Sequence, residues 1–217
     1  MSVIIAFAMN ARIEKPESVY ELVDSLSDYK ADIYKDGKWR PGTYKDAVKI
    51  DFGSFFGTKS CFPIDMIEMR NMPEIYHLKS TGVYVAGFNW FVDYVIFPLM
   101  MLSQMIRKGL LRHFWAKALI WGMNNLSGDE ERIVFLLQAE GEKGGEQEEV
   151  VIRCEHHSAY DFTVIPVIAT LKQYIDGSIR KPGLWMMGHI VDPDRLLDDM
   201  RQMGVSIQTL VAKKTAG

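Results

Sequence analysis

At 217 residues the chain is long enough for one large or two small domains with a full core, and its 48% apolar content excludes an intrinsically disordered chain. The net charge of −3 arises from 25 basic and 28 acidic residues interspersed along the sequence, so no basic field points to nucleic acid. Two cysteines, Cys61 and Cys154, make no disulfide framework and predict a reducing, cytoplasmic setting.

The opening Met1-Ser2-Val3-Ile4-Ile5 has neither the basic leader nor the small-residue cleavage site of a signal peptide. Val3 to Ala8 is a continuous apolar run, the pattern of a strand buried on both faces. Pro16 then opens a helix with the stripe Val19, Leu22, Val23 and Leu26. Ala31-Asp32-Ile33-Tyr34 alternates into Asp36-Gly37, a two-residue hairpin signal, before Lys38-Trp39. Val48, Ile50 and Phe52 alternate with Lys49 and Asp51 as a half-buried strand, and Gly53 and Gly57 bracket a turn. Residues 62–80 read as loop with a short helix at 64–70, and Val83-Tyr84-Val85 as a strand.

A long helix is predicted from about Trp90 to Lys108, with Pro98 forcing a kink or a restart and Gly109 stopping it. A second begins at Leu111, its face formed by Leu111, Phe114, Trp115, Ala118, Leu119 and Gly122. Between Val83 and Met105 the only formally charged residue is Asp93, which raises the question of a membrane span. Ten Val, Ile, Leu and Phe residues there contribute roughly −3 to −6 kcal/mol on the insertion scale, and Asp93 alone returns about +2.5 to +3.5. Asn89, Pro98, Ser103 and Gln104 oppose insertion further, so the segment reads as a buried or interface helix.

Ile133–Ala139 and Val150–Cys154 read as a hairpin joined by a charged, solvated loop over 140–146. Thr163 is the expected N-cap of a helix with Pro166 in its first turn. The stripe Val164, Val167, Ile168, Leu171, Tyr174 and Ile175 is expected to face the core, with Gly177 as terminator. Asp192-Pro193 starts the last helix, with the stripe Leu196, Leu197, Met200 and Met203. Residues 205–210 alternate as a final strand, and a tail begins at about 213. Recurring hairpins predict an α+β fold: a mixed, mostly antiparallel sheet with helices on one face and a helical insertion at about 90–125. This is one domain over 1–212, with 213–217 as tail.

Gly53 to Ser60 superficially matches a phosphate loop, but its spacing is off by one residue and Phe55 and Phe56 fill it. Gly141 to Gly145 sits in a charged hairpin loop rather than between strand and helix. Cys154, His156 and His157 find no second cluster with ligand spacing, and strand alternation sets His157 on the opposite face, so no metal is expected. His157, Ser158 and Asp161 lack a nucleophile elbow. The loop from Arg180 to His189 combines Arg180-Lys181, Pro182-Gly183, Trp185, two methionines and a histidine, the mix of apolar walls and few polar groups that concave sites favour. The competing reading is a buried crossover with Trp185 and Met187 in the core.

The stretch His156-His157-Ser158-Ala159-Tyr160-Asp161-Phe162-Thr163, the apolar helix to Gly177, and Arg180 through Pro193 resemble the end of saccharopine dehydrogenase-like reductases. The likeness is strongest over 148–208. It extends to Lys49-Ile50-Asp51-Phe52-Gly53, Cys61-Phe62-Pro63 and Glu68 to Pro73, and to the opening Val3–Ala8 strand. The resemblance implies the substrate-binding and dimerisation domain of an NAD(P)-dependent oxidoreductase acting on amino-acid-derived substrates. It also implies a homodimer and a Rossmann-type domain supplied in cis or in trans. No glycine-rich strand-turn-helix occurs in this sequence, so NAD(P) is implied for the complete enzyme and no cofactor for this chain alone. The substrate residues expected by position are His156, Tyr160, Arg180, Trp185 and His189, with Arg180 pairing a carboxylate and Trp185 walling the site. The plainer alternative is that His156 and Tyr160 satisfy backbone groups and that Arg180 is solvated.

Two further readings compete: a stand-alone small-molecule-binding or protein-interaction module of the same fold, and a membrane-associated structural protein using residues 83–121. The density of Trp90, Phe91, Phe97, Met100, Met101, Trp115 and Trp121 predicts self-association through 90–121.

Overall fold

In the computed structural model, which describes residues 1–13, 17–27 and 31–214, the apolar run at the start becomes the central strand of the sheet. This strand, β1 (Ser2–Asn10), lies between β6 (Ser80–Ala86), to which it is parallel, and β7 (Arg132–Lys143), to which it is antiparallel. The order continues outward through β2 (Asp32–Lys35) and β3 (Lys38–Pro41) on one side, and β8 (Glu146–His156) and β9 (Ser206–Lys214) on the other. β4 (Val48–Asp51) pairs with β5 (Thr58–Ile64), which in turn pairs with β6. All the other pairs are antiparallel. The fold is therefore α+β, as expected.

Alternation along β1 sends Ile4, Ala6 and Ala8 to one face and Ile5 and Phe7 to the other, so both faces carry core. The β4–β5 hairpin curls across the first face, far enough that Arg153 of β8 donates from Nη1 to the Phe52 carbonyl at 2.7 Å. On the opposite face lie α2 (Met72–Tyr76), α5 (Ala159–Ile175) and α6 (Pro193–Gln202). Three more helices, α1 (Glu17–Ser27), α3 (Phe97–Ile106) and α4 (Arg112–Leu126), gather beyond the carboxyl ends of β1 and β6 around a core of their own. Val23, Val92, Met100, Ala116 and Leu119 are fully buried there, and Trp115 Nε1 donates to Ser103 Oγ at 2.8 Å. The helical insertion thus recruits α1 from outside 90–125.

Asp36 and Gly37, both at positive φ, make the tight β2–β3 turn, and Gly53 and Gly57 frame the β4–β5 turn as expected. Pro98 marks a restart: a π-helical turn over Val92–Ile96 ends where α3 begins, with the proline in its first turn. Pro16 lies outside the described residues, as do residues 215–217 of the tail, whereas 213 and 214 belong to β9.

Several expectations are overturned. Within 62–80, read as loop with a short helix at 64–70, the helical turn Ile67–Met69 falls where expected, but 62–64 belong to the strand Thr58–Ile64 and a further short helix forms at Met72–Tyr76. The charged segment 140–146 is not a loop: β7 and β8 run through it to a two-residue Gly144-Gly145 turn, because a hairpin beyond the core edge tolerates charge on both faces. Leu111 and Phe114 are exposed, and Ala116 and Met123 take their places in the core of α4. The N-cap of α5 is Ser158, whose Oγ accepts from the Asp161 amide at 3.1 Å, so Pro166 lies inside the helix. The α5 stripe is inverted. Ile165, Ala169 and Gln173 face inward, whereas Tyr160, Val164, Val167, Leu171, Tyr174 and Ile175 are exposed. α5 is apolar on both sides, so periodicity alone selected the wider stripe, and the sheet took the narrower, smaller-residue one.

Candidate functional site

The five residues expected to form one pocket do not converge. His156 and Tyr160 stand at the start of α5, and Arg180 is tied to its end by Nε donating to the Gly177 carbonyl at 2.7 Å. Seventeen helical residues separate those ends by roughly 25 Å. The returning loop is fastened to the same far end, where Gln173 exchanges hydrogen bonds with the Asp192 backbone at 2.9 and 3.2 Å. Arg180, Trp185 and His189 therefore share the far end, away from His156 and Tyr160.

Four of these five residues have a local engagement, whereas the buried Nε2 of His189 has no hydrogen-bond partner among the described residues. His156 is buried, and its Nδ1 sits 3.1 Å from the Ser158 amide and 2.9 Å from the Ser158 carbonyl. Tyr160 Oη donates to the Arg12 carbonyl at 3.4 Å. Trp185 Nε1 donates to the Pro182 carbonyl, and Lys181 Nζ lies 3.5 Å from the centre of its ring. Trp185 and Met187 are exposed, so they do not form a buried crossover either. His157 comes to lie against the His156 ring at 4.2 Å between centroids, because the strand ends at His156 and the chain turns there. Possible ligand atoms of His156, His157 and Asp161 fall within 4.8 Å of one another, but the His156 Nδ1 is spent on the Ser158 backbone.

The cysteines offer no nucleophile. Burial pushes the Cys61 thiol up to about 12 and raises that of Cys154 as well, so both stay protonated near neutrality.

A cavity of about 280 Å³ opens on the face of the sheet beneath the segment joining β3 to β4. Its floor is Ile4 and Ile33, and Ala47 and Val48 form its roof. The roof is latched by Arg40, whose Nη1 and Nη2 donate to the two Asp46 oxygens at 3.1 and 2.5 Å. Asp46 also accepts from the Thr43 amide and hydroxyl. These donors, the Arg40 guanidinium first, hold the Asp46 carboxyl well below the usual carboxylate range. Asp46 is thus neutralised before any ligand arrives, and the basic side chains at the rim are Lys35 and Lys45.

Tyr84 supplies the polar group inside. Only 7% exposed, it lines the cavity, and among the described residues its hydroxyl makes no hydrogen bond. Burial pushes its phenol up, so it is a neutral donor at physiological pH. Gly82 makes this placement possible: a Cβ there would stand 2.9 Å from Tyr84 Cε2 and 3.1 Å from its hydroxyl. Sequence reasoning passed over Tyr84 because a tyrosine between two valines reads as ordinary strand; the glycine two residues earlier on the same face is the available signal.

β1 continues into Ala11-Arg12-Ile13, the Arg12 amide is taken by Glu131 at 3.0 Å, and an acidic residue, Glu17, opens α1. No helix among the described residues is long and apolar enough to cross a membrane. No family model matches the chain, and no curated protein matches it.

Proposed function

We propose that the chain is the substrate-binding and dimerisation module of a saccharopine dehydrogenase-like, NAD(P)-dependent reductase, and that it holds a small acidic amino-acid-derived substrate in the Tyr84 cavity. Nothing in this reading places hydride transfer on these 217 residues. The observation that carries it is the buried Thr81 Oγ1, which lines this cavity beside the Tyr84 hydroxyl, Lys35 and Lys45 and has no hydrogen-bond partner among the described residues. A buried polar group without a partner costs about 1–3 kcal/mol, a cost that a ligand oxygen accepting from it offsets. The volume lies just below the usual range of small-molecule sites, roughly 300–1,000 Å³, which suits a compact acid rather than a nucleotide. Two lysines at the rim select a carboxylate, and the Ile4–Ile33 floor accepts an aliphatic chain.

Calorimetry of the chain with glutamate, 2-aminoadipate and lysine tests this. The two acids bind and lysine does not. Tyr84→Phe weakens acid binding about tenfold or less, the value of one hydrogen bond, and Lys45→Glu abolishes it. NADH and NADPH give no micromolar binding. Equal heats for lysine and the acids, or unchanged affinity in Lys45→Glu, would remove the assignment.

The dimerisation half rests on α5. Tyr160, Val164, Val167, Leu171, Tyr174 and Ile175 form one uninterrupted exposed stripe, continued by Leu184, Trp185, Met186 and Met187 in the following loop. Each of the six helical residues is at least half exposed, the contiguous apolar surface that an interface between protomers covers. A two-fold axis through the stripe would set it against itself in a second copy. Val167→Glu with Leu171→Glu is expected to turn a dimer into a monomer in analytical ultracentrifugation, with unfolding unchanged because both sites are exposed. A dimer that survives both charges would sink this placement of the interface.

A further inference from the structure

We propose that the tip formed by α3, α4 and their connection docks onto an anionic lipid bilayer. The outer face of α3 presents Leu99, Met101, Leu102, Met105 and Ile106, the last two more than four-fifths exposed at 83% and 80%. Tyr94 precedes them on the π-helical turn, and Leu111 and Phe114 follow at the start of α4, all exposed. The inner faces are already satisfied: Ile96, Met100, Trp115 and Leu119 close the core against α1. The outer apolar residues are therefore a surplus beyond what the helical unit needs.

Charge distinguishes this surface from the stripe on α5. From Tyr94 to Gly128 there is no aspartate or glutamate, while Arg107, Lys108, Arg112 and Lys117 give +4 within a chain whose net charge is −3. Arg112 is engaged by Asp24 of α1, at 2.6 and 2.8 Å, so part of that charge is compensated locally. Arg107 and Lys108 stand in the connection at the very end of α3, beside Met105 and Ile106. Lys108, like Arg112, is already engaged within the chain, so the attraction to lipid rests on Arg107 and Lys117. Apolar side chains flanked by cations, with tyrosine and tryptophan nearby, is the chemistry of an interfacial helix: the apolar residues enter the headgroup–acyl boundary and the cations meet lipid phosphates. The α5 stripe instead has Asp161, Lys172 and Asp176 along its helix and C-cap, a mixed pattern suited to protein rather than to a negative surface. α3 is a ten-residue helix, too short to span, so the attachment is peripheral.

The test is co-sedimentation of the full chain with vesicles of phosphatidylcholine alone and of phosphatidylcholine mixed with phosphatidylglycerol. The protein is expected to pellet with the anionic vesicles at least tenfold more than with the neutral ones, and to be released by high salt. Met105→Glu with Ile106→Glu should abolish pelleting. Arg107→Glu with Lys108→Glu, which alters no helix interior, should also do so, and Val167→Glu with Leu171→Glu on α5 should not. Three results overturn the proposal: no pelleting with anionic vesicles, pelleting that survives both tip variants, or an oligomer in solution that Met105→Glu with Ile106→Glu disperses. The last would assign the face to a second copy of the chain.

Discussion

Replacing Phe52 with alanine is expected to lower the unfolding free energy by about 3–5 kcal/mol, among the largest effects of any single substitution in the sheet core. Phe52 is fully buried and fills the space between the β4–β5 hairpin and the main sheet. The strand beneath it is built small: Ala6 and Ala8 of β1 face this side, so β1 has no side chain there long enough to fill the vacancy. Its ring meets Phe56 edge-on at 6.4 Å, its amide donates to the Gly57 carbonyl, and its carbonyl receives Arg153. The truncation therefore leaves a cavity beside a hydrogen-bonded turn that cannot relax freely. Phe55→Ala, by contrast, removes a half-buried ring resting on the Arg132 guanidinium, a contact of about 0.5–1 kcal/mol. Urea unfolding of both variants decides the matter. A Phe52→Ala loss under about 1.5 kcal/mol would mean that the hairpin is not anchored by this ring.

The contrast between what the residues announced and what they concealed is physical. Turn and cap chemistry was legible wherever one residue type alone could do the job. Asp36-Gly37, Gly53, Gly177 and Asp192-Pro193 all stand where their backbone preferences require. β1 was legible because a strand buried on both faces has to be apolar throughout. α5 was not. Both of its sides are apolar, and which side meets the sheet is decided by Ala159 and Ala169 allowing close approach, a tertiary matter. The site followed the same logic. Grouping His156 and Tyr160 with Arg180, Trp185 and His189 treated nearness in sequence as nearness in space, and a helix of seventeen residues lies between the two groups. The cavity that does form draws Tyr84 from β6, Lys35 from β2 and Lys45 from the connection to β4. No local pattern links those three, and sheet pairing alone brings them together.

Gly87→Ala is the second substitution expected to be severe, at about 2–5 kcal/mol, from overpacking together with a stranded buried amide. Gly87 joins β6 to the helical unit, and a Cβ there would overlap Asp93 Oδ2 outright while standing 2.6 Å from its Cγ and 2.9 Å from Oδ1. The whole carboxylate group is in the way rather than the tip of a flexible chain. Asp93 must swing aside, abandoning the Phe88 amide from which it accepts at 3.0 Å. Adding Asp93→Ala to Gly87→Ala should return part of the loss, so the two substitutions are non-additive in a double-mutant cycle. Additive losses, or a Gly87→Ala protein within about 0.5 kcal/mol of wild type, would show that this junction is slack. The same carboxylate sets a pH signature. Burial pushes the Asp93 carboxyl up, with the Phe88 amide and Lys59 partly opposing, so the fold favours its protonated form. Its contribution to stability is therefore complete below the ordinary aspartate value of about 3.9 and is lost as pH rises through the elevated folded-state value. Asp93→Asn should remove that decline, giving a flatter stability curve across this window. Asp93 is also the one formal charge between Val83 and Met105, the segment whose hydropathy invited a membrane span. Its partner is the backbone at the mouth of the helical unit, where it fastens β6 to the helices, and that placement leaves the outer face of α3 free of negative charge.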